Sequence, residues 1–168
     1  MKARTPTRLT KIELLVLDID GVLTDGRLYF GARGETLKVF HVRDGRGLVL
    51  LLRAGLQIAV LSGRRSAAAA ARFRELGIRT VVQGCDDKVQ ALTRICAKLK
   101  LSPLQCACIV DDTTDLPLMA AVGYAVAVAD AHPLVRAAAH LTTRTGGGLG
   151  AVRELCDVLL RARAIQRA

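Results

Sequence analysis

Asp18 and Asp20 stand two residues apart in L-D-I-D-G-V-L-T-D-G, directly after the apolar run Leu14–Leu17. If the strand continued, both carboxylates would point the same way, and Gly21 lets the chain turn immediately afterwards. One carboxylate could then attack a phosphorus atom while the other handles the leaving-group proton. A second acidic pair, Asp111 and Asp112 in I-V-D-D-T-T-D-L-P, closes the apolar run Cys106–Val110. Adjacent carboxylates at the end of a buried strand repel, and desolvation raises their pKa, so the pair calls for a cation. Mg²⁺ takes oxygen ligands, uses one or two carboxylates plus a substrate phosphate, and keeps several waters. Side chains of Asp18 and Asp111 with the backbone carbonyl of Asp20 would leave room for those partners. Ser62 in L-S-G-R could donate to a phosphoryl oxygen, and Lys88 in Q-G-C-D-D-K could neutralise both the carboxylates and a transferring phosphate. Singly, Ser-Gly also reads as an ordinary turn and Lys88 as a surface lysine at a helix start.

All of these residues follow short apolar runs, which is where an open α/β sheet puts its ligands. The runs are Leu14–Leu17, Leu56–Leu61, Thr80–Val82, Cys106–Val110 and Tyr124–Val128. Continuous apolar runs of this kind fit strands buried on both faces of a parallel sheet. Helical spacing fills the gaps: Gly47–Ala54, Ser66–Leu76, Lys88–Lys100, Asp115–Val122 (with Asp115 as N-cap and Pro117 in the first turn), Pro133–Ala139 and Ala151–Arg163. The alternation predicts a doubly wound α/β fold with right-handed crossovers. One segment breaks the rhythm. Leu28–Phe30 and Glu35–His41 flank Gly31-Ala32-Arg33-Gly34 and read as a β-hairpin. A lone hairpin is marginal in water, so Tyr29, Phe30, Val39 and Phe40 are expected to meet another subunit. Gly146-Gly147-Gly148-Leu149-Gly150 reads as a mobile connection before the last helix.

At 168 residues, with 51% apolar and 24% charged side chains, the chain predicts one soluble globular domain, 1–168. No run reaches the length of a membrane span, and no secretory h-region precedes the first strand, which predicts a cytoplasmic protein without a membrane partner. The net charge of +10 attracts anions of every kind. Five aromatics and no dense basic arm argue against nucleic acid as the partner. The basic termini (Lys2, Arg4, Arg8, Lys11; Arg161, Arg163, Arg167) read as solvated tails. Five cysteines, none at zinc or redox spacing, read as small buried apolar residues, with Cys106 and Cys108 facing one side of a strand.

Seven segments then occur in order: D-I-D-G-V-L-T-D-G from Asp18, K-V-F-H-V-R-D-G from Lys38, S-G-R-R-S from Ser62, Q-G-C-D-D-K from Gln83, D-D-T-T-D-L-P-L-M from Asp111, V-A-D-A-H-P from Val128 and G-L-G-A-V-R-E from Gly148. Together they resemble the haloacid dehalogenase-like phosphatase superfamily over nearly the whole chain, nearest its cap-less phosphatases of 3-deoxy-D-manno-octulosonate 8-phosphate. The resemblance implies a Rossmann-like domain without a cap, Mg²⁺-dependent hydrolysis through an aspartyl-phosphate, and a place in lipopolysaccharide biosynthesis. It implies a homotetramer joined through the hairpin at about 25–41, each site being covered by a neighbour. It makes Asp18 the nucleophile and a metal ligand, and Asp20 the acid/base whose carbonyl also binds metal. Ser62 and Lys88 hold the phosphoryl group, Asp111 is the remaining metal ligand and Asp112 supports it. Substrate contacts fall to Asp20, His41, Arg43, Asp44, Gly45, Arg64, Arg72 and Lys88. Arginines suit a substrate bearing carboxylate as well as phosphate. Val110 stands where this group usually has Gly, so its branched side chain is expected to crowd the metal loop. Ser62 replaces a frequent Thr and keeps the hydroxyl. Two other readings stay open: a phosphatase of another acidic sugar, such as a nine-carbon ulosonate 9-phosphate, and a non-catalytic oligomerisation module.

Overall fold

Four consecutive leucine and valine side chains make β1 (Leu14–Leu17), and all four are buried. A strand with no polar face must lie inside a sheet covered on both sides. It does: β1 pairs in parallel with β4 (Gln57–Ser62) on one flank and β6 (Cys106–Val110) on the other. The computed structural model describes residues 7–166. Its main sheet has the order β5-β4-β1-β6-β7-β8, with β5 at Thr80–Gln83, β7 at Tyr124–Ala127 and β8 at Leu141–Thr142. The chain winds outward from β1 through β4 to β5, then returns to β6 on the opposite side. The order therefore reverses between β1 and β6, and the carboxyl ends of those two strands bear Asp18 and Asp111.

Helices close both faces: α1 (Thr7–Thr10), α2 (Val42–Arg53), α3 (Ala67–Glu75), α4 (Lys88–Leu99), α5 (Leu116–Ala121), α6 (Pro133–Ala138) and α7 (Ala151–Gln166). Their starts are set by side-chain caps. Ser66 accepts the Ala69 N–H and Asp87 accepts the Gln90 N–H, each satisfying an amide that the helix itself cannot. Helix α2 begins at Val42, ahead of the Leu-rich stretch, because His41 caps it by accepting the Arg43 N–H. Asp115, expected to cap α5, makes no such bond; its carboxylate is used elsewhere.

The hairpin forms as two short antiparallel strands, β2 (Tyr29–Gly31) and β3 (Gly34–Leu37). Leu28, Tyr29, Phe30, Leu37 and Val39 stay exposed on it. Phe40 instead packs edge-on to Phe73 of its own core, ring centroids 6.1 Å apart. One expected tail is no tail. Arg163 on α7 donates to the carbonyls of Ile12 at 3.1 Å and Ala54 at 3.2 Å, and pairs with Glu13 at 3.0 Å. Lys2, Arg4 and Arg167 lie outside the described residues. Cys96, Cys106, Cys108 and Cys156 are buried and Cys85 half-buried. Burial pushes the Cys108 thiol up to about 12, which removes it from nucleophilic chemistry. Among the described residues no helix is long and apolar enough to cross a membrane.

Candidate active site

A cavity of about 430 Å³ opens over the carboxyl ends of the central strands, lined by Asp18, Asp20, Ser62, Arg64, Lys88, Asp111 and Asp112 among others. The strand β1 stops at Leu17, so period-two alternation does not govern Asp18 and Asp20. Their carboxylates line the same cavity but take different partners. Asp18 Oδ1 accepts the Ile19 N–H at 2.7 Å and lies 3.2 Å from Lys88 Nζ. Asp20 turns to the hairpin side, where its carboxylate pairs with Lys38 and lies 3.5 Å from Arg64 Nε. Lys38 and Arg64 converge in turn on Glu35, at 3.3 Å and 3.0 Å. The hairpin thus delivers a cation and a carboxylate to the edge of the cavity.

Asp18, Asp111 and Asp115 each place a carboxylate oxygen within 4.8 Å of the others. Asp115 is fully buried, and Lys88 Nζ donates to its Oδ2 at 2.9 Å. This is where the carboxylate missing from the α5 cap has gone. Burial lifts Asp18 to about 6, the Lys88 ammonium working against the rise and the Asp115 charge adding to it. Burial lifts Asp111 to about 7, reinforced by the charges of Asp18, Asp115 and Asp112. Burial works to lower the Lys88 pKa, but Asp18 and Asp115 outweigh it and hold the ammonium above its ordinary range. One lysine among three carboxylates leaves net negative charge in a sheltered place. Gly21 brings the backbone next to this charge. A Cβ built there would lie 1.9 Å from Asp111 Oδ2, and its φ of +80° suits glycine. Asp111, with no ion pair among the described residues, Asp18, which shares Lys88 with Asp115, an adjacent backbone turn and excess negative charge fit a hard divalent cation. Ser62, at the end of β4, is buried with its Oγ accepting the Arg64 N–H at 3.3 Å.

Val110 does not plug the cavity. Its side chain is fully buried in the hydrophobic core and does not line the cavity. Of the further residues singled out in the sequence, Arg64 reaches the cavity, but His41, Arg43, Asp44, Gly45 and Arg72 do not line it within their own chain. Arg43 borders a separate cleft of about 260 Å³ beside α7. Asp44 is buried and accepts the Arg153 N–H of α7 at 2.7 Å. Gly45 lies against the Arg72 guanidinium, which pairs with Glu75 at 2.8 Å. Asp112 Oδ1 accepts the Thr113 N–H at 2.7 Å and so shapes the turn that follows Asp111. Sequence reasoning passed over Asp115, Lys38 and Glu35. The D-D-x-x-D spacing carried a signal for Asp115. A lysine set between apolar residues in T-L-K-V-F carried one for Lys38, since such a cation needs a counter-charge once buried.

The relation to known proteins agrees with this geometry. The family model of the haloacid dehalogenase-like hydrolases matches residues 75–150. The 3-deoxy-D-manno-octulosonate 8-phosphate phosphatase KdsC of Yersinia pestis is 47% identical over 156 residues, covering 93% of this chain and 83% of that protein. The chain belongs to this phosphatase family. The crystal structure of the Yersinia pestis phosphatase matches the fold with a TM-score of 0.93 at 45% identity, covering 98% of this chain and 89% of that one. The Moraxella catarrhalis phosphatase, solved with magnesium ion, phosphate ion and KDO, matches at a TM-score of 0.90 and 38% identity, covering 94% and 90%. As a family member the chain is a phosphoric monoester hydrolase on the doubly wound fold expected from its apolar runs.

Proposed function

We propose that this chain hydrolyses 3-deoxy-D-manno-octulosonate 8-phosphate to 3-deoxy-D-manno-octulosonate and phosphate, in the cytoplasm, as a step of lipopolysaccharide biosynthesis. The observation that carries the reading is the convergence of Asp18 and Asp111 from adjacent strands beside Lys88 in the cavity. Side chains of Asp18 and Asp111 and the carbonyl of Asp20 hold Mg²⁺. When bound, the ion supplies charge stabilisation for the phosphoryl oxygens.

The chain's own residues do the rest. Asp18 attacks phosphorus and forms an aspartyl-phosphate, while the carboxyl of Asp20 protonates the departing C8 alkoxide. Asp20 then takes a proton from water, which attacks the aspartyl-phosphate and frees Asp18 and phosphate. Lys88, held cationic by Asp18 and Asp115, offsets charge on the transferring oxygens, where electrostatics is the largest contribution. The Ser62 hydroxyl donates to one of those oxygens. Asp112 fixes the loop that carries Asp111. Arg64 grips the acidic sugar from the cavity wall. In a homotetramer joined through the exposed apolar hairpin, His41, Arg43 and Arg72 serve the substrate at a subunit boundary, while the buried Asp44 and Gly45 fix the first turn of α2 that carries Arg43.

The test is phosphate release from eight-carbon and nine-carbon ulosonate phosphates, with Mg²⁺ and with chelator. Preference for the eight-carbon ester, loss of turnover in Asp18→Asn, and severe slowing with retained metal binding in Asp20→Asn are the expected results. Undiminished release by Asp18→Asn overturns the mechanism, and preference for the nine-carbon ester overturns the substrate.

A further inference from the structure

The glycine run before α7 is not a free connection; it is docked on the loop that follows Asp18. Gly147 is buried. A Cβ on it would lie 1.8 Å from the carbonyl oxygen of Gly21 and 3.0 Å from that of Thr24. Gly148 donates its N–H to the Val22 carbonyl at 2.9 Å, and a Cβ there would lie 2.5 Å from the Asp25 nitrogen. The Gly147 N–H is taken by Asp130 Oδ1 at 2.9 Å, and Gly146 leaves no space for a Cβ against the same carboxylate, at 2.6 Å. Asp130 therefore anchors a glycine backbone that lies directly on the Gly21 carbonyl. Gly21 is held at a second point, since its Cα leaves no room for a Cβ against Asp111. The peptide joining Asp20 to Gly21 is planar, so a displacement of the Gly21 nitrogen and Cα carries the Asp20 carbonyl with it.

Resting on the reading that the Asp20 carbonyl and the Asp111 carboxylate bind the metal, we infer that Gly147, anchored by Asp130, is a positioning residue that sets the spacing of these two ligands. Neither residue lines the cavity. They act through the backbone of the loop, and the need for three glycines in a row follows from its closeness.

The experiment compares the wild type with Gly147→Ala, Asp130→Ala and Asp130→Asn. Each is titrated with Mg²⁺ by calorimetry without substrate, checked for fold by circular dichroism, and assayed for kcat and KM. In Gly147→Ala the contact at 1.8 Å is with backbone and must open; Mg²⁺ affinity and kcat should fall by about 10–100-fold with KM little changed. Asp130→Ala, which strips the buried Gly147 N–H of its acceptor, should weaken Mg²⁺ binding by about tenfold, whereas Asp130→Asn keeps an oxygen there and should restore it. A folded Gly147→Ala with wild-type Mg²⁺ affinity overturns the inference. Should that variant fail to fold, equal Mg²⁺ affinity in Asp130→Ala and wild type overturns it instead. Failure of the wild type to hydrolyse any sugar phosphate would sink the enzymatic reading, while the calorimetry would still decide the role of Gly147.

Discussion

Replacing Lys88 with methionine isolates the electrostatics of the site. The Nζ lies 2.7 Å from Asp115 Oδ1 and 3.2 Å from Asp18 Oδ1, and these side chains are 0% and 14% exposed. Methionine fills similar space but leaves the carboxylates without their internal cation. Breaking a buried ion pair costs about 3–5 kcal/mol, and the open cavity above Asp18 argues for the lower end, ~3 kcal/mol. For a domain of this size each kcal/mol moves Tm by about 2–4 °C, so metal-free Lys88→Met should melt about 6–12 °C below wild type at pH 8. The penalty belongs to ionised carboxylates, and Asp18 already titrates at about 6 with the lysine present. At pH 5.5 the orphaned Asp18 takes up a proton and the gap should shrink. Saturating Mg²⁺ should shrink it at pH 8 as well, because a cation returns to the cluster. Calorimetric melts in chelator at both pH values, repeated with Mg²⁺, measure each arm. A variant that melts with wild type at pH 8 in chelator, or shows the same deficit at both pH values, would refute the reasoning.

The wild type should show the same linkage. Asp18 and Asp111 bind protons at about 6 and about 7 when folded, against an ordinary aspartate value of 3.8. The folded state thus holds more protons, so their contribution is fully present below pH 3.8 and is lost as pH rises through about 6 and 7. Mg²⁺ should accordingly raise Tm more at pH 8 than at pH 5, read by thermal melts with and without the ion. Gly123→Ala drives a Cβ to 2.0 Å from the Leu104 carbonyl, and should cost about 1–3 kcal/mol by urea denaturation. Arg163→Ala removes bonds to Ile12, Glu13 and Ala54; it should lower stability by about 2 kcal/mol in the same assay, and Arg163→Lys should recover only part of the loss.

The parallel sheet was legible because its inner strands β1, β4, β6 and β7 are buried on both faces. Runs such as Cys106–Val110 have no polar phase to confuse with a helix. The hairpin was legible from its glycines. Strand β8 has two residues, too few for any period, and α1 is a single turn. The first turn of α2 is polar and is defined by the His41 cap, so the Leu-rich stretch marked only its second half. Asp18, Asp111 and Lys88 could be read because each follows a strand or begins a helix at the ligand-binding edge. Asp115 looked like a helix cap, and only the fold shows that Lys88 claims its carboxylate. Lys38 and Glu35 lie on a hairpin whose docking onto the cavity no local pattern encodes. The glycine run likewise looked mobile, since close backbone approach and flexibility share one sequence signature.

The reversal of strand order between β1 and β6 also fixes when the site can exist during synthesis. Asp18 is translated early, but Asp111 follows 93 residues later, and in space the two are neighbours. A nascent chain that has emerged only through β5 carries Asp18 yet lacks the opposing carboxylate and the strand that covers one flank of β1. A cation shared by Asp18 and Asp111 would therefore act only as a late clasp between the two halves of the polypeptide, and ribosome-bound fragments ending before Cys106 should be indifferent to Mg²⁺.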